Sequence, residues 1–138
     1  IVNGLVPVLN DRILLCRRTI EPRRGLWTVP AGLMENNETL AQGAILETME
    51  EACADVRNVR LFCVYILPRI SQVYVMILGD LLSEDGFDVG EESLEVELFR
   101  EMDLPWEQMA FRVVESTLRR YLEEREQEQH TVTLSDLH

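Results

Sequence analysis

Gly32–Ala54, GLMENNETLAQGAILETMEEACA, decides how the chain is read. Asn36-Asn37 offers a side-chain cap and Glu38 stands where a helix dipole favours negative charge. Thr39 to about Cys53 then runs without proline, which predicts a helix over about 39–53. Leu40, Ala44, Thr48 and Ala52 recur at helical spacing and make one modestly apolar face, with Gly43 permitting close approach to whatever lies beneath. Glu47, Glu50 and Glu51 are separated by three and four positions, so their carboxylates share one face a turn apart. Each like-charged pair of this kind costs an isolated helix roughly 0.2–0.5 kcal/mol, so helix stability alone does not ask for the triplet. Two readings of it stand: a solvated acidic face, and a site for a divalent cation. Magnesium takes a few carboxylates, a carbonyl and substrate phosphate as ligands, and the Ala31-Gly32 turn just upstream has carbonyls to add.

Working outward, Ile1–Leu9 and Arg12–Cys16 are runs of Val, Ile and Leu around Asn10-Asp11, the pattern of a β-hairpin. Glu21–Gly25 reads as a polar loop, Leu26–Val29 as a short strand and Pro30-Ala31-Gly32 as a turn. Downstream, Val59–Leu67, Ser71–Leu82 and Leu94–Phe99 are predicted strands. Between the last two, Ser83–Ser93 holds Gly86, Gly90 and five acidic residues, the composition of an exposed loop long enough to be functional. Phe111, Val114, Leu118, Tyr121 and Leu122 recur at helical spacing among arginines and glutamates, which predicts an amphipathic helix over about 110–125. Gln127–His138 is polar and weakly patterned and is expected to be a frayed tail behind a single domain at 1–126. The class is mixed α and β.

With 138 residues, one core is expected, and 46% hydrophobic residues supply it without disulfides or a structural metal. Cys16, Cys53 and Cys63 are odd in number and form no C-x-x-C pair, so they read as free thiols of a reducing compartment. A formal charge of −12 repels nucleic-acid polymers and anionic lipid, and excludes them as expected partners. No apolar run approaches the ~18 residues of a membrane span, and no signal-peptide pattern opens the chain, which gives a cytoplasmic expectation. Because the chain begins at Ile1 rather than Met, a processed or excised fragment stays open. Every basic residue is an arginine, a residue suited to bidentate phosphate contacts.

The segment Gly32–Ala54 resembles the Nudix box, G-x5-E-x7-R-E-U-x-E-E-x-G-U with U aliphatic; Gly32, Glu38, Glu47, Glu50 and Glu51 match in register. Upstream, Gly25-Leu26-Trp27-Thr28-Val29-Pro30-Ala31-Gly32 is similar to the strand and loop that precede the box in that family. Leu14–Arg18, Leu67-Pro68 with Gln72 and Tyr74, and Glu92–Glu95 with Leu98-Phe99 resemble the subgroup that cleaves ADP-ribose and FAD. The resemblance implies an α/β/α sandwich with a mixed sheet, and a pyrophosphohydrolase acting on a nucleoside diphosphate joined to a second moiety. It also implies magnesium or manganese held by Glu47, Glu50 and Glu51 with the Ala31 and Gly32 backbone carbonyls, and it allows a homodimer. Glu50 and Glu51 are the expected catalytic carboxylates of the box. Glu92 and Glu95 are candidates for a general base from the acidic loop, with solvated glutamates as the alternative. Arg17, Arg18, Arg23 and Arg24 are candidates to clamp the diphosphate or ribose, against surface pairing with local acids. Trp27, Tyr65 and Tyr74 are candidate stacking surfaces for adenine, against membership of the core.

Two box positions depart from the pattern. Leu46 stands where the family has arginine, which removes a positive charge and its donors beside the glutamates and opens a second reading, a nucleotide-binding or regulatory domain with little turnover. Cys53 stands where the family has glycine, and is expected to alter only packing, at a position that does not need a positive φ.

Overall fold

The computed structural model describes residues 1–90, 93–126 and 133–137. The first hairpin forms as expected: β1 (Val2–Leu9) and β2 (Arg12–Arg18) pair antiparallel with Val8 opposite Ile13, and Asn10 supplies the left-handed turn residue at φ 55°. β3 (Trp27–Thr28) pairs with β2. The predicted turn at Pro30-Ala31-Gly32 becomes a strand instead, β4 (Ala31–Leu33), which lies antiparallel against the start of β1 with Gly32 opposite Asn3. Its backbone partners lie far along the chain, on β1 and, for the Ala31 N–H, on the Glu51 side chain, so local composition could not announce it.

Helix α1 covers Leu40–Ala52, followed by β5 (Val56–Leu67), β6 (Gln72–Leu81) and β7 (Ser93–Arg100). Helix α2 covers Arg112–Glu126. The last described strand, β8 (Thr133–Asp136), corrects the expectation of a frayed tail over 133–137, the remainder of 127–138 lying outside the described residues: it lies parallel to β5, with Leu134 opposite Val64, and Leu137 packs on the core. Polar residues suffice there because an edge strand needs ladder partners more than two buried faces.

Among the described residues one mixed sheet runs β3-β2-β1-β6-β5-β8, with β4 on β1 and β7 on β2. The central pair β1 and β6 is parallel, Val2 opposite Tyr74 and Val8 opposite Asp80. Strand alternation sorts the core into two layers. Val6, Val8, Ile13, Leu15, Met76 and Leu78 face α2 through Val113, Val114, Leu118 and Tyr121. Leu5, Leu14, Cys16, Val75 and Ile77 face the other way, onto Ala44 and Ala52 of α1. The molecule is therefore an α/β/α sandwich, and α1 lies close to its sheet because its buried face is Gly43, Ala44, Thr48 and Ala52. None of the described helices is long and apolar enough to cross a membrane.

Candidate active site

Helix α1 starts at Thr39 rather than at the Asn pair. The Thr39 hydroxyl accepts from the Gln42 amide at 3.1 Å and the Gln42 side chain accepts from the Thr39 amide at 2.9 Å, a reciprocal capping box. Asn37 takes a left-handed turn position at φ 66° instead, and the Glu38 carboxylate accepts from the Glu35 amide at 2.9 Å, tying the loop ahead of the helix.

The phase set by this cap carries Glu47, Glu50 and Glu51 to the side where α1 meets β4. Glu51 is half-buried and its Oε2 accepts from the Ala31 amide at 2.8 Å, a charge-assisted bond. The Glu47 carboxylate lies on the Cα of Gly32, where a Cβ would stand 2.3 Å from Oε1, so any larger residue at this strand position would make the Glu47 carboxylate swing aside. Glu50 is exposed. Ala31 thus addresses Glu51 with its N–H, a contact the expected carbonyl role did not include. Cys16, from β2, is buried close to Glu51, and its thiol is pushed up to about 12 by burial first and by the Glu51 charge second, so it stays protonated.

Two clefts share the wall of Ala31, Gly32 and Leu33 at the Val2 end of β1. The larger, of about 910 Å³, has Glu47 and Glu50 of α1, Arg18 of β2, Arg112 of α2, and Gln72 and Tyr74 of β6 in its lining. The smaller, of about 190 Å³, is mostly apolar, lined by Val29, Met76 and Val114, with Glu51, Arg18 and Tyr74 at its polar edge. Arg18 is held in place by its Nε–H bond to the Pro22 carbonyl at 2.8 Å and by the Phe111 ring, 4.9 Å from its guanidinium carbon. Tyr74 is half-buried, and burial raises its phenol above the ordinary value while Arg18 opposes the shift.

The other expected residues fall elsewhere. Arg17 pairs with Glu95 at 2.7 Å and donates to the Gly25 carbonyl at 3.0 Å, so both belong to the β2–β7 edge, and neither lines the two clefts. Arg23 and Arg24 are exposed on the loop before β3 and line neither cleft. Trp27 is 6% exposed with its ring edge-on to Phe99, 5.0 Å between centroids, which makes it a core residue rather than a stacking surface. Tyr65 is likewise buried in the α2-facing core. Glu92 lies outside the described residues. Sequence reading missed Phe111 and Arg112, whose position just at the start of α2 is a polar-apolar pair with no local motif to mark it.

Three box positions, not two, depart from the pattern. Leu46 is 50% exposed and its neighbour on the same face, Met49, is exposed too, so the missing arginine leaves an apolar surface on α1. Thr48 occupies the aliphatic position after Glu47; it is fully buried, its hydroxyl donating to the Ala44 carbonyl at 2.8 Å. Cys53 corrects the expectation made for it: its backbone is left-handed, φ 49° and ψ 33°, with its N–H bonded to the Met49 carbonyl at 2.9 Å. The position does require positive φ, as a helix C-terminus commonly does.

An acidic helix docked by small residues onto a glycine-bearing strand inside an α/β/α sandwich defines a class, and the comparisons name it. The NUDIX domain family model matches residues 2–124, and the chain belongs to that family. A crystal structure of a NUDIX hydrolase from Nitrosomonas europaea superposes with a TM-score of 0.93 at 50% identity, covering 99% of this chain and 77% of that one. The NAD-capped RNA hydrolase NudC of Enterobacter sp. (strain 638) is 32% identical over 101 residues, 73% of this chain and 39% of that protein. The chain thus spans about two fifths of the length of that curated relative. A bifunctional NMN adenylyltransferase/ADP ribose pyrophosphatase from Francisella tularensis, crystallised with AMP and a manganese ion, shares the fold, with a TM-score of 0.65 at 20% identity over 91% of this chain and 41% of that one.

Proposed function

We propose that this domain hydrolyses the diphosphate linkage of a nucleoside diphosphate derivative, ADP-ribose or FAD, with release of AMP. The observation that carries the reading is one cleft of about 910 Å³ lined both by Glu47 and Glu50 and by Arg18 and Arg112. A diphosphate ester is a double anion flanked by two organic groups, so it asks for guanidiniums on its oxygens and for a means of neutralising charge where water attacks. Arg18 and Arg112 meet the first need, and the aromatic faces of Tyr74 and Phe111 border the adjoining apolar cleft.

The donor set fits a hard divalent cation: carboxylate oxygens from Glu47, Glu50 and Glu51 and backbone oxygens from Ala31 and Gly32, with the bare Gly32 backbone letting the Glu47 carboxylate lie against it. Among the described residues no three acidic, histidine or cysteine side chains converge tightly enough to hold a metal as they stand, so ligation requires the glutamates to turn toward one point. The chemistry supplied by bound magnesium or manganese is charge neutralisation on the diphosphate and acidification of a water molecule. Water adds to one phosphorus, the bridging P–O bond breaks, and the attacking water's proton passes to a carboxylate. Glu50, exposed in the larger cleft, and Glu51 are candidates for that acceptor; so is Glu92, whereas Glu95 is engaged by Arg17. The products are AMP and ribose 5-phosphate from ADP-ribose, or AMP and FMN from FAD.

Leu46 favours a second reading, nucleotide binding with little turnover, because it places no guanidinium beside the glutamates. AMP release from ADP-ribose, FAD, NADH and an NAD-capped RNA, with magnesium and with chelator, separates the two. The chain is expected to turn over a small dinucleotide only with the metal, at a rate that Leu46→Arg raises about tenfold, equivalent to ~1.4 kcal/mol from one charged contact. Nucleotide binding without AMP release in either protein would select the second reading, and preference for the capped RNA would overturn the small-molecule assignment drawn from the charge of −12.

A further inference from the structure

The last carbonyls of a helix have no partners within it. At the end of α1, the turn that bears Glu50 and Glu51, they are taken up by the acidic segment before β7. The Glu51 carbonyl accepts from the Gly90 N–H at 3.1 Å and from the Ser93 hydroxyl at 2.8 Å, and the Ala52 carbonyl accepts from the Asp88 N–H at 2.8 Å. Ser93 is buried, and Gly90 sits so close that a Cβ there would stand 2.0 Å from the Glu50 carbonyl oxygen and 2.7 Å from that of Glu51. Neither contact can be relieved by rotating a side chain, since the opposing atoms are backbone. On its other side, the Glu51 carboxylate meets the Ala31 amide at 2.8 Å. Glu51 is therefore fixed from two directions, its carbonyl by Gly90 and Ser93 and its carboxylate by β4.

We propose that Gly90 and Ser93 are positioning residues for Glu51: by holding its backbone they deliver its carboxylate to the Ala31 amide. The functional weight of this role rests on the hydrolase reading; the contact itself does not. Gly90 has a requirement distinct from that of Gly25, where a left-handed φ of 83° is what excludes side chains. At Gly90 the requirement is proximity, which lets the acidic loop approach the end of the helix.

The test is hydrogen exchange of the Ala31 amide, followed residue by residue by NMR in the full chain and in Ser93→Ala and Gly90→Ala. Thr117→Ala serves as the control, since it removes another buried hydroxyl, one that donates to the Val113 carbonyl at 2.7 Å in α2, away from Glu51. Both loop variants are expected to speed Ala31 exchange by about three- to tenfold, the loss of one hydrogen bond's net contribution, while Thr117→Ala leaves it unchanged relative to the β1–β6 ladder. Ala31 exchange at the wild-type rate in Ser93→Ala, or equal acceleration in Thr117→Ala, would overturn the proposal. Manganese titration of the same proteins reports separately on the hydrolase reading. An Ala31 amide that responds in a chain that binds no manganese retains the positioning role and removes the metal site.

Discussion

At Cys53 a single backbone angle decides an energy. An L residue in the left-handed region brings its Cβ against the neighbouring carbonyl at a cost of roughly 1–2 kcal/mol, part of which glycine gives back through its larger unfolded-state entropy. Cys53 stands at φ 49°, its side chain exposed, with only a weak 3.9 Å contact from Sγ to the Val89 carbonyl. Cys53→Gly is accordingly expected to raise the unfolding free energy by about 1 kcal/mol in urea denaturation, and a neutral or destabilising result would refute the strain. Residue type was legible here and conformation was not, because the angle follows from where α1 must turn back toward β5. The arginines teach the same lesson. Arg17 and Arg18 are adjacent in β2, so they point to opposite faces, and only the register with β7 decides that Arg17 meets Glu95 while Arg18 enters the cleft. The three box glutamates, in contrast, could be grouped from sequence, since helical periodicity alone puts them on one face. Where their carboxylates point depends on β4, which the sequence presented as a turn.

Elements differ in how far their signals are local. The hairpin and α2 rest on nearby periodicity and formed close to their predicted bounds. The start of α1 fell where expected, but its cap was misassigned because Asn36-Asn37 and Thr39 are all able to cap; the reciprocal partner three residues on, Gln42, singles out Thr39. Thr39→Ala removes one half of that box and is expected to cost about 1 kcal/mol of stability, with faster amide exchange confined to the first turn of α1. Loss of exchange protection throughout α1 would instead mean that the cap nucleates the whole helix. Strand β8 was illegible for a different reason: its ladder is with β5, some seventy positions earlier by the pairing of Cys63 with Thr133. Ending the chain at Glu126 removes that ladder, the Leu137 N–H bond to the Ile66 carbonyl at 2.9 Å and the packing of Leu137 on the core. A loss of about 2 kcal/mol is expected in thermal and urea unfolding, from one partly buried leucine and an uncovered edge. A shortened chain as stable as the full one would show that β8 adds nothing to the sheet.

Across the molecule, buried thiols and phenols set how stability falls at alkaline pH. Burial raises the thiols of Cys16 and Cys63 and the phenols of Tyr65, Tyr74 and Tyr121 above their ordinary values, in each case as the leading cause. For a group whose folded pKa lies above its unfolded one, the stabilisation is complete below the unfolded value and disappears as pH rises through the folded one. For Cys16 the window runs from 9.0 to about 12, and its share is on the order of 4 kcal/mol. Repulsion acts in the same direction, because a chain already at −12 gains further negative charge as these groups ionise, and added salt should offset that part alone. Unfolding free energy is thus expected to hold level from neutral pH to about 9, then to fall steadily toward pH 12. Cys16→Ala separates the two contributions. It lacks the buried thiol, so its curve should descend less steeply over that window at equal ionic strength, whatever its starting stability. Parallel curves for the two proteins would show that the Cys16 thiol does not titrate with unfolding and that general charge repulsion alone drives the alkaline loss.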